Sequence, residues 1–458
     1  MDILRYFPIK QIEEESTVVL YGAGRNGRRL YDANSSMNWC KIKMVCDKRY
    51  DENNRWFDDV YSPLEAKGIN FDYLLISILD KNNAFQAKED LIKMGFDESK
   101  IIIYESHIEK IVSEADQVTI GFRTSGGMGD YIMQLKVYQA IIKLAPDCVM
   151  DVIAERPLIA EHIYYGQENL RNIIEGFNEQ TMKEKYDLFI EMGFEIEIGK
   201  YDADKIEKLA PALKRSIDRL VRYNSAYYVG MPAFQYTNRI LIERAKLMGW
   251  NRYTQWSCSG AFDIHDKVVN LNIAPGGENG FKGYDLQKKY ITYNFGADDF
   301  LKDGKRQTKV WPFEYHEEFN KLFKQVFPDI MVIQLGGKDA EAIPGADKYI
   351  FGEDLEIVKM ILTNSLLHFD CEGGLVHMAT QLGTKCCVLF GPTPMWFLGY
   401  DENINIPSKE CGECKGLIKQ WYTTCYKYGR PECMYSIKPK EVMDKISYYL
   451  KSDSEYGV

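Results

Sequence analysis

The sequence predicts an α/β protein in which buried parallel strands alternate with helices, arranged as doubly wound units. Three observations favour this class. Short apolar runs alternate with segments of helical periodicity along most of the chain. Three of these runs end in a glycine-rich turn that opens a helix, as strand–helix units of a parallel sheet do. The 458 residues, 45% of them hydrophobic, are enough for roughly two to four domains.

The first glycine-rich turn follows an apolar strand near the start of the chain. Gly22, Gly24 and Gly27 have the G-x-G-x-x-G spacing between a strand and a helix, the context in which this motif binds a diphosphate. Asp47 ends the next strand, where an acid commonly meets a ribose. Residues 1–115 are therefore interpreted as a Rossmann-like accessory domain. It binds a nucleotide or nucleotide sugar, or its glycines serve only the tight turn of a packing or oligomerisation module.

The second turn, Thr124–Asp130, follows another apolar strand and precedes a long helix. Two roles are open for Asp130. It is a favoured helix cap, worth about 1 kcal/mol, or its carboxylate points into the crevice at the carboxyl ends of the strands and acts as a general base. This unit is predicted to span residues 116–284. Its glycine-rich end, Pro275–Tyr284, is predicted to be a linker or loop.

The third turn, Glu372–Gly374, lies within the strand–helix–strand stretch Leu367–Tyr400. A Gly-Gly pair that opens a helix presents free backbone N–H groups and the positive end of the helix dipole, which suit a phosphate or diphosphate. Glu372 can accept hydrogen bonds from sugar hydroxyls beside Gly373 and Gly374. The alternative is an ordinary strand–helix turn whose glycines serve only the bend.

Residues 285–458 are predicted to contain the last doubly wound unit. Lys309 stands just before a helix, where its charge either neutralises a phosphate or is solvated. No Asp-x-Asp pair stands at a strand end, and the adjacent Asp298 and Asp299 would face apart. A catalytic divalent metal is therefore not expected.

Four of the eleven cysteines fall within 23 residues: Cys411, Cys414, Cys425 and Cys433. A cluster that begins with C-x-x-C and has glycines in its loops is typical of a four-cysteine knuckle that binds Zn²⁺ or mononuclear iron. Disulfides and free thiols are the alternatives. The knuckle is predicted at residues 405–437, with a structural role, and a C-terminal helix is predicted at 438–452.

Charge and hydropathy exclude several classes of partner. The net charge of −10 argues against nucleic acid or an anionic membrane as the main partner. No apolar run is long enough for a transmembrane helix. Met1–Leu20 carries charges throughout and lacks the apolar core of a signal peptide. A cytoplasmic protein that can form a homo-oligomer is expected.

An ordered set of motifs runs through the second and third units: Gly129-Asp130, Lys309-Val310-Trp311-Pro312, Gly374-Leu375-Val376-His377 and Phe390-Gly391-Pro392-Thr393. This order resembles the ADP-heptose glycosyltransferases of glycosyltransferase family 9. Their fold is GT-B, in which two Rossmann-like domains face a cleft. The resemblance covers about residues 118–440 and implies an acceptor domain at 116–284 and a donor domain at 285–458.

The resemblance implies an inverting glycosyltransferase that moves a sugar, with heptose as the first choice, from a nucleotide sugar such as ADP-heptose to an acceptor hydroxyl. Asp130 would be the general base. The donor would be bound by Lys309, Glu372, Gly373, Gly374, His377, Gly391 and Thr393. His377 would reach the diphosphate, or else be an ordinary buried helix histidine.

The chain departs from the family at one motif. Many members carry Asp-Ser/Thr-Gly where this chain has Glu372-Gly373-Gly374, so either Glu372 replaces the acid or Asp370 takes its role after a small shift. The Glu-Gly-Gly form and the cysteines are most similar to the bacterial autotransporter heptosyltransferases, which modify protein hydroxyls. That subgroup has a cysteine-bound iron, which favours iron over zinc here. The first 115 residues would be an added module, similar to the sugar-epimerase-like domains of other bacterial sugar-modifying enzymes.

Two other functions remain open from the sequence. The GT-B halves could be a catalytically silent scaffold or binding protein, although Asp130, Lys309 and His377 occurring together argue against this. A nicotinamide-dependent oxidoreductase could be built on residues 22–27, although the module has no Tyr-x-x-x-Lys pair. The acceptor is a protein or a saccharide hydroxyl, and the lack of an apolar anchor favours a soluble one.

Overall fold

The computed structural model describes residues 2–52, 54, 56–176, 180–227, 235–286, 288–295 and 307–452. The chain falls into two compact units. The first contains Met1–Glu114 and Asn172–Tyr186, and the second contains Ala115–Arg171 and Asp187–Val458. In the described ranges, no helix has the length and apolar character needed to cross a bilayer.

The strands, in chain order, are β1 (Asp2–Leu4), β2 (Thr17–Tyr21), β3 (Lys41–Cys46), β4 (Tyr73–Ile76), β5 (Ile101–Ile103), β6 (Thr119–Thr124), β7 (Val149–Ala154), β8 (Leu170–Glu175), β9 (Leu188–Met192), β10 (Ile196–Tyr201), β11 (Tyr290–Asn294), β12 (Met331–Gly336), β13 (Lys348–Phe351), β14 (His368–Cys371), β15 (Cys386–Phe390) and β16 (Ile404–Pro407). The α-helices are α1 (Arg25–Met37), α2 (Pro63–Ala66), α3 (Lys81–Lys93), α4 (Met128–Leu144), α5 (Pro157–Tyr164), α6 (Gln180–Lys183), α7 (Ala203–Leu209), α8 (Pro211–Tyr227), α9 (Gln235–Met248), α10 (Gly276–Lys282), α11 (Phe313–Val326), α12 (Leu355–Thr363), α13 (Gly374–Gln381), α14 (Met395–Leu398), α15 (Glu432–Ser436) and α16 (Pro439–Ser452). Short 3₁₀-helices occupy Glu98–Lys100, His107–Lys110 and Thr254–Ser257.

The first unit contains a parallel sheet of four strands in the order β3-β2-β4-β5. Its central strand β2 is buried on both faces, since Val18 and Val19 are fully covered and belong to two different apolar clusters. The strand order reverses between β2 and β4, and the first glycine-rich turn follows β2 at this point. The Rossmann-like module predicted from the sequence is present. In addition, β1 pairs in parallel with β8, with Asp2 opposite Asn172.

The second unit contains two sheets. In the first, β6 pairs in parallel with β7 and β9, and β10 runs antiparallel to β9. The second sheet has six parallel strands in the order β13-β12-β11-β14-β15-β16. Each sheet carries strand–helix units, so the two halves are doubly wound, as the sequence predicts. Two such halves within one unit form the predicted GT-B architecture.

The core of the second half also anchors the end of the described chain. Helix α16 buries Val442, Ile446 and Leu450, which are four residues apart and therefore lie on one face. They join the apolar cluster that includes Phe319 and Phe323 of α11. The C-terminal helix predicted at 438–452 is therefore formed by packing of an apolar stripe, and it fixes α11 behind the sheet.

The prediction that Pro275–Tyr284 is a linker or loop is wrong, because helix α10 lies there. The glycines allow close packing rather than a loop. A Cβ atom at Gly277 would lie 2.6 Å from the backbone oxygen of Glu356, and one at Gly280 would lie 2.2 Å from Cδ1 of Ile357. Helix α10 therefore packs on α12 at a distance that larger residues would not permit.

Candidate functional site

The candidate site lies at the carboxyl ends of β11 and β14, where the strand order of the second sheet reverses. In open α/β sheets, ligands bind in the crevice at such a point. The turn Glu372–Gly374 leaves β14 here and opens helix α13. Gly373, the N-cap, has an extended backbone and provides no side-chain cap. The first N–H groups of α13 therefore have no intrahelical acceptor and are available to an anion.

Glu372 is a buried carboxylate surrounded by cationic groups. Lys309 reaches the same turn, since its Nζ donates to the backbone oxygen of Glu372 at 3.0 Å. Burial by itself would raise the pKa of the Glu372 carboxyl, but Lys309, His377 and Lys415 outweigh burial and hold the pKa well below its usual value. Glu372 is therefore ionised at neutral pH and can only accept hydrogen bonds.

Asp370, the alternative acid, lies lower in the sheet. It is on β14 itself, 5% exposed, and accepts from the backbone N–H of Cys371 at 2.7 Å. Asn294 donates to it at 3.3 Å. Burial raises the pKa of the Asp370 carboxyl above its usual value. At Glu372 the neighbouring cations outweigh burial, and the pKa is lowered instead. Glu372, which stands in the turn, is therefore better placed to meet a ligand than Asp370.

His377 connects this turn to the other half of the second unit. Its Nδ1 lies 2.7 Å from the hydroxyl of Tyr400, and that hydroxyl lies 2.7 Å from the hydroxyl of Tyr253. Its Nε2 lies 3.4 Å from Glu372, an ion-pair distance without hydrogen-bond alignment, so this buried atom has no hydrogen-bond partner among the described residues. The ring is thus held by Tyr400 on one side, and its other nitrogen faces the Glu372 carboxylate.

The N-termini of α4 and α13 meet at this crevice. A Cβ atom at Gly129 would lie 2.7 Å from Cδ2 of His377, and one at Gly374 would lie 2.7 Å from Cε of Met128 and 3.3 Å from the backbone nitrogen of Gly129. Glycine is therefore required by the close approach of the two turns. Since both helices begin here, two positive dipole ends point toward the same region.

Asp130 lies in the first turn of α4, and the structure gives one of its oxygens the capping role. Oδ2 accepts from the backbone N–H of Gly127 at 3.0 Å. Gly126 has a φ of +101° and brings its backbone so close that a Cβ atom would lie 2.5 Å from the same oxygen. Among the described residues, nothing donates to Oδ1. The two roles open from the sequence are thus compatible, since one oxygen caps the helix and the other is available to a ligand.

Two cations beside the crevice were not predicted from the sequence. Arg252 is 4% exposed, and its guanidinium lies 4.6 Å from the ring centroid of Phe194 and 4.4 Å from that of Trp256. Burial lowers its pKa to about 10, and the charge of Asp130 acts in the opposite direction. Burial lowers the pKa of Lys415, and the nearby carboxylates of Glu372 and Asp130 act in the opposite direction. Neither residue belongs to a motif, so only the fold could reveal them.

The loop after β15 contains the last two predicted donor residues. Thr393 is 1% exposed, and its hydroxyl has no hydrogen-bond partner among the described residues. A Cβ atom at Gly391 would lie 2.3 Å from Sδ of Met434 and 3.1 Å from Sγ of Cys433. The glycine is therefore required for packing against the cysteine-rich segment, while the Thr393 hydroxyl is an unsatisfied polar group near the crevice.

At the first glycine-rich turn, the predicted acid Asp47 is bonded to the protein backbone. Asp47 accepts from the backbone N–H of Ala23 at 2.7 Å through one oxygen and from that of Arg49 at 2.9 Å through the other. A Cβ atom at Gly27 would lie 2.0 Å from the backbone oxygen of Gly22, so this glycine is required by the turn. A Cβ atom at Gly24 would have no neighbour within 4 Å. The acid is engaged within its own loops.

The four clustered cysteines are free thiols in the same region of the fold. Burial raises the pKa of Cys433 to about 12, and Cys411, Cys414 and Cys425 add to this effect, as neighbouring thiolates would. However, no set of three or more His, Cys, Asp or Glu side chains in the described ranges is arranged to bind a metal ion. The predicted knuckle is therefore not confirmed as a formed ligand set. Asp298 and Asp299, which entered the prediction about a catalytic metal, lie outside the described residues.

Comparisons with known proteins give structural neighbours of the predicted family. No family model matches the chain, and no curated protein matches its sequence. ADP-heptose lipopolysaccharide heptosyltransferase II of E. coli is 14% identical, with a TM-score of 0.46 over 73% of this chain and 99% of that one. A glycosyltransferase family 9 protein of Veillonella parvula is 13% identical, with a TM-score of 0.46 over 75% and 100%.

A third neighbour is an iron-containing, dodecameric glycosyltransferase. This is the glycosyltransferase TibC of enterotoxigenic E. coli, 12% identical, with a TM-score of 0.47 over 75% of this chain and 81% of that one. The chain is similar in structure to heptosyltransferases of family 9.

Proposed function

We propose that the chain is an inverting glycosyltransferase that uses a nucleoside-diphosphate sugar, with ADP-heptose as the first donor to test. The observation that carries the proposal is the turn Glu372–Gly374 at the reversal point of the second sheet. There an ionised, buried carboxylate, the Nζ of Lys309 and the open N-terminus of α13 lie together. A diphosphate needs cations and N–H donors, and a sugar or ribose needs a fixed acceptor.

The proposed roles follow from where each group lies. Oδ1 of Asp130 takes the proton of the acceptor hydroxyl as its oxygen bonds to the anomeric carbon of the sugar. The bond from that carbon to the diphosphate oxygen breaks, and the nucleoside diphosphate leaves with the electron pair. Lys309 and the N–H groups at Gly373–Gly374 stabilise the negative charge that develops on the diphosphate. Attack from the face opposite the leaving group inverts the anomeric centre.

Glu372 is proposed to orient the donor by accepting hydrogen bonds from its hydroxyls. His377 is held by Tyr400 with Nε2 beside Glu372, and from there it is proposed to donate a hydrogen bond to the sugar nucleotide. Thr393 has a buried hydroxyl without a partner, which a phosphate oxygen would satisfy. These assignments place the donor in the second half of the second unit and the acceptor beside α4.

The cysteine-rich segment is proposed to bind iron, or alternatively zinc, in a structural role. Four thiols close enough to affect one another's pKa are suitable ligands for either metal. Metal analysis of the purified protein, compared with the Cys414→Ser variant, tests this assignment directly. One equivalent of metal in the wild type and its loss in the variant are expected. A metal-free wild type that is folded would contradict it.

The acceptor is proposed to be a hydroxyl of a protein, with a saccharide hydroxyl as the alternative. The decisive experiment for the function as a whole is release of nucleoside diphosphate from ADP-heptose, measured with and without candidate acceptors, and compared with UDP- and GDP-sugars. Turnover of one nucleotide sugar that Asp130→Asn abolishes is expected. If no nucleotide sugar is bound or turned over, a silent scaffold becomes the better account of the fold.

A further inference from the structure

The cysteine-rich segment is attached to the loop that follows β15. The backbone N–H groups of Ser408, Glu413 and Lys415 donate to the oxygens of Phe390 at 2.8 Å, Gly391 at 3.0 Å and Pro392 at 2.8 Å. The approach is close, since a Cβ atom at Gly412 would lie 2.8 Å from the Gly391 oxygen. The segment therefore runs along the proposed donor loop and is fixed to it by main-chain hydrogen bonds.

The same segment holds the residue that precedes Lys309. The backbone N–H of Thr308 donates to the oxygen of Tyr422 at 2.9 Å, and its hydroxyl donates to the oxygen of Trp421 at 2.7 Å. Two donor elements that are far apart in sequence are thus fixed by one stretch of chain. Any side chain that this stretch directs into the crevice has a defined position relative to both.

Lys415 is such a side chain. It is half-buried, and its Nζ lies 5.5 Å from the ring centroid of Trp421. In the part of the chain that the structure describes, no carboxylate lies within ion-pair distance of this ammonium and no acceptor bonds to it. Its main-chain bond to Pro392 places Lys415 next to Thr393 of the donor loop. Glu372, Asp130, Lys309 and Arg252 are the charged groups near its ammonium. A lysine in this position has donors to offer and lacks a protein partner for them.

The charges of these five groups do not balance. Lys309, Lys415 and Arg252 are cationic, while Glu372 and Asp130 are anionic, which leaves one positive charge before the two helix N-termini are counted. Each helix N-terminus adds roughly half a positive charge. The crevice therefore favours a ligand with at least two negative charges, which is the character of a diphosphate.

We propose that Lys415 is a second diphosphate-binding lysine of the donor site, positioned by the main-chain bonds between the cysteine-rich segment and the donor loop. The inference rests on the proposed function and adds a residue that none of its motifs contains. Lys309 would approach the diphosphate from one side of the Glu372–Gly374 turn and Lys415 from the donor loop. As the diphosphate leaves, the two ammonium groups would share its developing charge.

The test compares Lys415→Gln with Lys419→Gln, which removes the same charge from an exposed position of the same segment. Calorimetric titration with adenosine, AMP and ADP measures how the affinity of each protein changes as the ligand gains one and then two phosphates. Because the main-chain bonds of Lys415 do not involve its side chain, both variants should fold, and circular dichroism checks this. Lys415→Gln should weaken ADP binding roughly 10- to 100-fold, the loss of one charge-assisted hydrogen bond. Adenosine binding should be unchanged, and Lys415→Arg should restore most of the ADP affinity.

Each outcome separates the inference from the function on which it rests. If the wild type binds ADP and Lys415→Gln binds it equally well, the role of Lys415 is wrong while the proposed donor site stands. If Lys415→Gln loses adenosine and ADP affinity equally, Lys415 only maintains the shape of the pocket, and the inference is again wrong. If the wild type binds no nucleoside diphosphate, the proposed function and the inference both fail.

Discussion

The Gly22–Gly27 turn of the first unit and the Glu372–Gly374 turn of the second both join a buried parallel strand to a helix without a side-chain cap. They differ in what surrounds them. At the first, both carboxylate oxygens of Asp47 accept hydrogen bonds from backbone N–H groups of neighbouring loops. At the second, Glu372 is buried and ionised among Lys309, His377 and Lys415. Glycine spacing therefore indicates a backbone geometry, while the charges brought from distant segments indicate a ligand.

The largest expected effect belongs to the base proposed opposite the second turn. Asp130→Asn should lower turnover about 10²- to 10⁴-fold, because the proton of the acceptor hydroxyl loses its acceptor. The asparagine oxygen can still accept from Gly127, so the cap and the ADP affinity should persist. Initial rates and ADP titration on the same preparation measure both. Asp147→Asn, an exposed acid of the same half, serves as control, and near wild-type turnover in Asp130→Asn would exclude the base.

The next largest effect is expected from Lys309, whose charge lies at the second turn and has no counterpart in the proposal for the first. Lys309→Gln should weaken ADP binding roughly 10- to 100-fold, since one charge-assisted contact to the diphosphate is lost. The exposed Lys321→Gln on α11 should leave the affinity unchanged. Fluorescence or calorimetric titration is sufficient. Equal affinity in all three proteins would remove Lys309 from the donor site.

Glu372 should also contribute to stability in a pH-dependent way. Its pKa is lower in the folded than in the unfolded chain, so its contribution is complete above the unfolded pKa, roughly 4.3, and is lost as the pH falls from there toward the folded pKa. Glu372→Gln removes the buried negative charge beside the half-buried Lys309 and Lys415, and should lower the free energy of unfolding by about 1–3 kcal/mol at pH 7.

Urea unfolding of the wild type and Glu372→Gln at a series of pH values checks this prediction. The difference between the two proteins should shrink as the pH is lowered below about 4. A difference that grows on acidification would mean that the carboxyl is protonated in the fold, which would contradict the electrostatic account of the site.

The smallest effects are expected from alanine substitutions at one glycine of each turn. Gly374→Ala adds a methyl group 3.1 Å from Cβ of Met128 and 3.3 Å from the backbone nitrogen of Gly129, and should cost about 1–3 kcal/mol of unfolding free energy. Gly24→Ala adds one that has no neighbour within 4 Å, and should cost less, about 0.5–1 kcal/mol, because alanine is a poorer N-cap than glycine. Thermal or urea unfolding measures both, and turnover should fall only in Gly374→Ala. Equal destabilisation would show that the close approach of α4 and α13 is not a constraint.

Much of the fold follows from local pattern in the sequence. Strands β2 and β15 are recognisable in the sequence, because each is a short apolar run ended by a glycine turn. The sequence does not predict the helix at Gly276–Lys282, because a glycine-rich stretch is typical of a loop. Only the close packing on α12 explains why these glycines are in a helix. The pairing of β1 with β8 was also missed, since partners 170 residues apart leave no local signal.

The candidate site was only partly predictable for the same reason. Asp130, Lys309, Glu372 and His377 belong to motifs and could be found in the sequence. Lys415 and the buried pair Tyr253 and Tyr400 belong to none. Lys415 comes from the cysteine-rich segment, Tyr253 from the first half and Tyr400 from the chain after α14. Such long-range placement is set by packing rather than by spacing.

The central claim is that nucleotide binding resides at the second turn rather than the first. The most direct measurement is titration of the wild type, Lys309→Gln and Gly24→Ala with ADP, UDP, GDP and NAD(H). We expect ADP to bind the wild type and Gly24→Ala equally and Lys309→Gln weakly. Binding of NAD(H) alone, lost in Gly24→Ala and retained in Lys309→Gln, would move the functional centre to the first unit and contradict the account.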